Sequence, residues 1–128
     1  MPRAVIFDVD GTLVDSVGLH AEAWRDAFRE FGHDVEPEAI RKQIGKGGDQ
    51  LMPVFIDEDE LKTIRERLEA RRAEILKQRY LARIVGFPRV RELMQRLLGD
   101  GARIALASSA KKDELQVYKK LARIDDLI

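Results

Sequence analysis

Two short apolar runs, each ending in polar residues, limit the architecture that this chain can adopt. Ala4–Phe7 stops at D-V-D-G, and Ile104–Ala107 stops at Ser108-Ser109. Successive apolar residues in a short run are typical of strands buried on both faces of a parallel sheet. In open α/β folds, ligands bind beyond the carboxyl ends of such strands. The polar residues that follow the two runs are therefore candidates for one site.

The remainder of the chain has mostly helical periodicity. Predicted helices cover Val17–Phe31, Pro37–Ile44, Asp57–Tyr80, a segment opening at Pro88, and Asp113–Ala122. We expect a flexible loop at Gly45–Gly48, a capping box formed by Asp57 and Glu60, and the entry to a third strand at Asp125–Ile128. The predicted fold class is α/β. An incomplete Rossmann-like parallel-sheet core (residues 1–16 and 84–128) carries an inserted α-helical cap domain (residues 17–83).

Composition excludes several classes of protein. The 128 residues include 23 basic and 23 acidic side chains, so no chain-wide positive field is available and nucleic acid is not expected as a partner. The absence of cysteine excludes disulfides and thiolate zinc sites. No apolar stretch approaches a signal segment or a membrane span, so no membrane partner is expected and a cytoplasmic location is predicted.

The segment from Asp8 to Thr12 has the residue types that phosphate chemistry requires. Carboxylates at Asp8 and Asp10 can converge once the chain leaves the strand, and the amides around Gly11 and Thr12 can donate to phosphate oxygens. Two carboxylates facing a phosphate would repel it without a cation between them, and oxygen ligands favour Mg²⁺. A carboxylate can also be a covalent nucleophile. The alternative is a simple strand-ending turn.

V-I-F-D-V-D-G-T-L-V-D-S resembles the first signature of the haloacid-dehalogenase superfamily, and L-A-S-S resembles the second. Their spacing is similar to that of the phosphoglycolate phosphatase and β-phosphoglucomutase branch. The resemblance implies that Asp8 attacks phosphorus and that Asp10 is the general acid and base. It also implies that the Asp8 carboxylate and the Asp10 carbonyl bind Mg²⁺, and that Ser108, with Ser109, binds the phosphoryl group. Ser108 or Ser109 has an alternative role as a helix N-cap.

The third and fourth signatures of the family have no counterpart in the sequence. Lys111 and Lys112 follow the second strand too closely to supply the third-signature lysine, and Asp125-Asp126 precede a strand rather than follow one. The resemblance therefore implies a chain truncated before those signatures, whose isolated 128 residues are nearly inactive. Exposed sheet edges also make self-association of the truncated core an expectation.

Two cap residues are candidates for contact with the substrate. His20-x-x-Ala23-Trp24 resembles the start of the cap in β-phosphoglucomutase-like proteins, which implies a histidine near the active site, although His20 can equally pack beside Trp24. Lys46 lies on a glycine-rich loop that could reach the crevice, or it is a solvated turn residue. Arg89 takes the place of a glycine that relatives usually have after the proline.

The resulting hypothesis is a Mg²⁺-dependent phosphatase that hydrolyses a small phosphorylated metabolite through an aspartyl-phosphate. One alternative is a sugar-phosphate mutase of the same branch, although the loop around Lys46 lacks the arginine and serine typical of mutases. The other is a non-catalytic fragment that binds phosphate or a partner. A receiver-type phosphoacceptor domain is disfavoured because no helical cap would interrupt it.

Overall fold

The computed structural model describes residues 3–128, which divide into two compact units. The first unit combines the segment ending at Ser16 with Ile84–Ile128, and the second is Val17–Arg83. These boundaries coincide with those expected for core and cap from the sequence. The role of the second unit as a cap stays a prediction, and each unit is described by itself.

The elements follow one another as an α/β chain. In order they are β1 (Ala4–Asp8), β2 (Val14–Asp15), α1 (Val17–Glu30), α2 (Pro37–Arg41), α3 (Gly48–Phe55), α4 (Glu58–Ile75), β3 (Val85–Gly86), α5 (Val90–Gly99), β4 (Arg103–Ala107) and α6 (Lys112–Leu121). A π-helical turn, Leu76–Tyr80, and a 3₁₀ turn, Leu81–Arg83, follow α4. Within residues 3–128, no helix has both the length and the apolar character needed to cross a bilayer.

The first unit contains two small sheets. β1 and β4 pair in parallel, and β2 and β3 pair antiparallel where the chain leaves and re-enters this unit. The predicted α/β class with an incomplete Rossmann-like parallel sheet is confirmed. The prediction that β1 is buried on both faces is wrong, because Ile6 is 71% exposed. A sheet face is buried only where another element packs on it, and among residues 3–128 none covers Ile6. Self-association through this sheet stays a prediction.

The second unit is a helical bundle around an aromatic core. α1 contacts α2, α4 and the π-helical turn. The ring of Phe28 lies 5.4 Å from that of Trp24 and 5.7 Å from that of Phe55. The apolar face predicted for α4 is buried, since Leu61, Ile64, Leu68 and Ile75 all have little exposed surface. Helical periodicity therefore identified this core correctly.

A polar network joins α1 to the π-helical turn. The Tyr80 hydroxyl donates to Asp26 Oδ2 at 2.5 Å, and Arg25 and Arg79 also donate to this carboxylate. Burial on its own would raise the pKa of Asp26, but these hydrogen bonds outweigh it and hold the pKa below its ordinary value. Burial, then the bond to Asp26, raises the pKa of Tyr80.

Several local expectations are wrong. Gly48 opens a helix rather than ending a flexible loop, and α3 continues through Pro53. The capping box is not formed: Asp57 is the N-cap of α4 but makes no side-chain cap hydrogen bond, and Glu60 bonds His33 at 2.7 Å. Residues 125–127 form a turn, so the entry to a third strand predicted at Asp125–Ile128 is not a strand here.

Candidate active site

The register of the parallel pair brings the two polar strand ends to the same edge. Asp8 is the register partner of Ala107, and Ser108 is the next residue after Ala107. Neighbouring strands lie about 4.8 Å apart, so the Cα atoms of Asp8 and Ser108 are roughly 6 Å apart. Both residues are exposed. The first unit therefore has a carboxylate and a hydroxyl at the carboxyl edge of its sheet.

A tight turn follows β1. The Val9 carbonyl accepts hydrogen bonds from the amides of Thr12, Leu13 and Val14 at 3.1, 2.8 and 3.3 Å. Gly11 has φ 78°, a left-handed conformation that glycine adopts without a steric penalty. Val9 and Leu13 are 1% and 2% exposed, so burial fixes both ends of the turn. These contacts explain how a short polar segment keeps a defined shape at an open edge.

The amides of this turn are already engaged within it. Gly11 N donates to the Val14 carbonyl at 2.9 Å, and Thr12 N donates to Val9. The expected donation of these amides to phosphate therefore needs a change in the turn. The Thr12 side chain contributes differently, because its hydroxyl donates to Asp8 Oδ2 at 3.0 Å. This bond orients the exposed Asp8 carboxylate.

Asp10 is oriented by a residue that the sequence analysis did not single out. The Ser16 hydroxyl donates to Asp10 Oδ1 at 2.5 Å, and Ser16 is fully buried. A buried hydroxyl that bonds a partly exposed carboxylate limits the rotamers of that carboxylate. The only signal in the sequence was the position of Ser16 at the end of the D-G-T-L-V-D-S string.

Ser108 does not cap α6. Its Oγ accepts a hydrogen bond from the Ala110 amide at 3.0 Å, whereas the N-cap of α6 is Lys111, which makes no side-chain cap bond. The helix-cap alternative for Ser108 and Ser109 is therefore wrong. Ser109 is exposed in the same connection.

His20 and Lys46 belong to the second unit. His20 is 7% exposed on α1, and Lys46 is exposed, with its Nζ donating to Gln43 Oε1 at 2.6 Å. Their roles toward substrate stay predictions.

The donor chemistry of the Asp8–Thr12 turn fits Mg²⁺. No group of three or more His, Cys, Asp or Glu side chains within residues 3–128 is arranged to hold a metal. Mg²⁺ does not need such a cage, because it binds through one or two carboxylates, waters and the phosphate of a substrate. Asp8 and Asp10 supply hard oxygen donors of this kind on one turn.

A family model decides to which group of proteins this arrangement belongs. The model of the haloacid dehalogenase-like hydrolases matches residues 5–128. The chain belongs to this family. It is 29% identical over 123 residues to the phosphorylated carbohydrates phosphatase of Thermotoga maritima, and 28% identical over 130 residues to the phosphoglycolate phosphatase of Aquifex aeolicus.

These matches involve nearly all of this chain but only part of each relative. They cover 96% and 98% of this haloacid dehalogenase-like chain, which spans 56% of the length of each curated relative. Among solved structures, a hydrolase from Pseudomonas syringae superposes with a TM-score of 0.82 at 25% identity, over 98% of this chain and 57% of that one.

Proposed function

We propose that this chain provides the nucleophile half of a Mg²⁺-dependent phosphatase that hydrolyses a small phosphorylated metabolite through an aspartyl-phosphate. The observation that carries the proposal is the β1–β4 register, in which Asp8 is level with Ala107 and Ser108 follows. Family membership and two relatives named as phosphatases also support it.

In the proposed reaction Asp8, oriented by Thr12, attacks phosphorus in line with the leaving oxygen. Asp10, oriented by Ser16, gives its proton to that oxygen as the P–O bond breaks. A water then attacks the aspartyl-phosphate, Asp10 takes a proton from this water, and phosphate leaves. Mg²⁺, held by the Asp8 carboxylate and the Asp10 carbonyl, would neutralise charge on the transferring phosphoryl group. Ser108 would donate to one of its oxygens, with Ser109 beside it.

Turnover by the 128-residue polypeptide itself should be slow. Positioning and charge neutralisation are the larger part of phosphoryl-transfer catalysis. Among the described residues, the proposed cation ligands are Asp8 and Asp10 on a single turn, so the cation would be held weakly and charge neutralisation would be incomplete. We expect rates well below the 1–1000 per second that is typical of enzymes.

The test measures p-nitrophenol release from p-nitrophenyl phosphate, with Mg²⁺ and with EDTA. We expect a slow release that requires Mg²⁺, is abolished by Asp8→Asn and is reduced by Ser108→Ala. Asp15→Asn is the matched control, because Asp15 is an exposed carboxylate on β2. Equal rates in Asp8→Asn and wild type would refute the mechanism.

A further inference from the structure

A second candidate binding site lies in the first unit, in a cavity of about 440 Å³ between the segment that opens α5 and the end of α6. Its lining includes Phe87, Arg89, Arg91, Leu121 and Arg123. None of the residues assigned to the proposed phosphatase reaction lines it. The volume is in the range of small-molecule sites, which combine apolar walls with a few polar groups.

The cavity combines a positive charge with an apolar wall. Its three arginines face one acidic lining residue, Glu92, whose carboxylate is 3.6 Å from the guanidinium of Arg89. Within residues 3–128, the structure gives the guanidinium of Arg123 no ion pair or hydrogen bond. Phe87 and Leu121 are 38% and 36% exposed, so part of the apolar wall is open to a ligand.

Arg91 holds this wall in place. Its guanidinium binds both carboxylate oxygens of Asp126, at 2.6 and 2.8 Å, and donates to the Arg123 carbonyl at 2.6 Å. Arg91 is thus committed to the fold, whereas Arg89 has only the exposed ion pair with Glu92, which a bound anion can replace. No side chain caps α5, so its first amides add a favourable field for an anion.

Arg89 and Arg123 both have a left-handed backbone conformation, which is unfavourable for residues other than glycine. Arg89 has φ 67° and Arg123 has φ 61°, and they are the only non-glycine residues with positive φ among residues 3–128. The side chain of Arg89 is 83% exposed, so its packing does not offset the free-energy cost of the left-handed backbone. Exposed pairs such as Arg89–Glu92 stabilise folds little.

Two other helices, α1 and α5, are followed by glycine at the corresponding position. Gly32 and Gly101 lie two residues beyond the last residues of α1 and α5, and they have φ 89° and 87°. In each, the next amide bonds back to the final turn of the helix, and Ile124 N bonds Lys119 O at 2.9 Å in the same way after α6. At this equivalent position α6 has Arg123 instead of glycine.

From the cavity, its charge and the two arginines with positive φ, we infer a non-catalytic binding site for a small phosphate monoester with an apolar body. Arg89 and Arg123 bind the phosphate, and Phe87 and Leu121 contact the body. Arginine is suited to this role because its planar fork matches phosphate oxygens. The inference does not depend on the proposed phosphatase activity.

The test titrates phenyl phosphate into the ¹⁵N-labelled chain in the Asp8→Asn background, with EDTA, so that hydrolysis does not consume the probe. We expect saturable NMR shifts at residues 87–91 and 121–123, and weaker binding of inorganic phosphate. Arg89→Gly and Arg123→Gly should each weaken Kd about tenfold, with Lys at either position retaining part of the affinity.

A stability measurement separates binding from folding. Because glycine relieves the left-handed strain, Arg123→Gly should raise Tm by about 3–5 °C while it weakens binding. Arg96→Ala, an exposed arginine of α5 outside the cavity, should change neither Kd nor the shift pattern. Shifts confined to residues 8–12 and 108–110, equal binding of phenol, or an unchanged Kd in the Arg89→Gly/Arg123→Gly double variant would overturn the inference.

Discussion

Replacement of Gly48 by alanine should destabilise the second unit, although alanine is usually the better helix former. A Cβ added at Gly48 would lie well inside van der Waals contact of the Glu69 carboxylate and 3.2 Å from Cζ2 of Trp24. Glu69 cannot move freely, because it pairs with Arg72, which is 6% exposed and lies over the Trp24 ring.

The magnitude follows from competing terms. Overpacking a filled core typically costs 1–3 kcal/mol, and displacement of Glu69 would also weaken its contact with buried Arg72. Alanine in a helix gains at most about 1 kcal/mol over glycine. We therefore expect Gly48→Ala to lower the free energy of unfolding by about 1–3 kcal/mol.

The assay is urea unfolding followed by the fluorescence of Trp24, the single tryptophan of the chain. Gly99→Ala is the control, because a Cβ at Gly99 meets nothing within 4 Å and should stabilise α5 by about 0.5–1 kcal/mol. In a Glu69→Ala background, the additional cost of Gly48→Ala should fall below about 0.5 kcal/mol. If Gly48→Ala unfolds at the same or a higher urea concentration than wild type, with unchanged Trp24 emission, this reasoning is incorrect.

Three further substitutions have outcomes set by particular contacts. Tyr80→Phe removes a hydrogen bond to a charged acceptor, Asp26, and should lower the free energy of urea unfolding by about 1.5–3 kcal/mol; an unchanged midpoint would contradict this. Asp126→Asn should reduce the fall in Tm that the wild type shows as the pH is lowered (the acid limb of the Tm–pH curve). The hydrogen bond from Arg91 lowers the pKa of Asp126 to about 2, so its stabilisation is present above 3.8 and is lost as pH falls toward 2; an equally steep limb in the variant would refute the assignment. Phe28→Ala leaves a cavity beside two aromatic rings and should lower the free energy of unfolding, measured by calorimetry, by about 3–5 kcal/mol; an unchanged free energy would contradict this.

The sequence by itself determined the features that depend only on residues close together in the chain. The apolar run that ends at Asp8 specifies a strand and its stopping point, and Gly11 specifies where the chain can turn sharply. Trp24 and Phe28 are spaced for one helical face, so their burial was also predictable. These signals are local, because hydrophobic period and backbone freedom act over a few residues.

The tertiary structure decided the features that depend on partners distant in the chain. The parallel register sets Asp8 level with Ala107, and the sequence contains no signal for that offset. Glu60 was expected to cap its own helix but bonds His33, because a contact made by folding replaced the local one. The orientation of Asp10 by Ser16 likewise depends on the turn between them. The sequence therefore identified a candidate nucleophile and a candidate acid/base. The fold decided which strand end lies beside Asp8 and which hydroxyls orient the two carboxylates. These contacts depend on distances that only packing establishes.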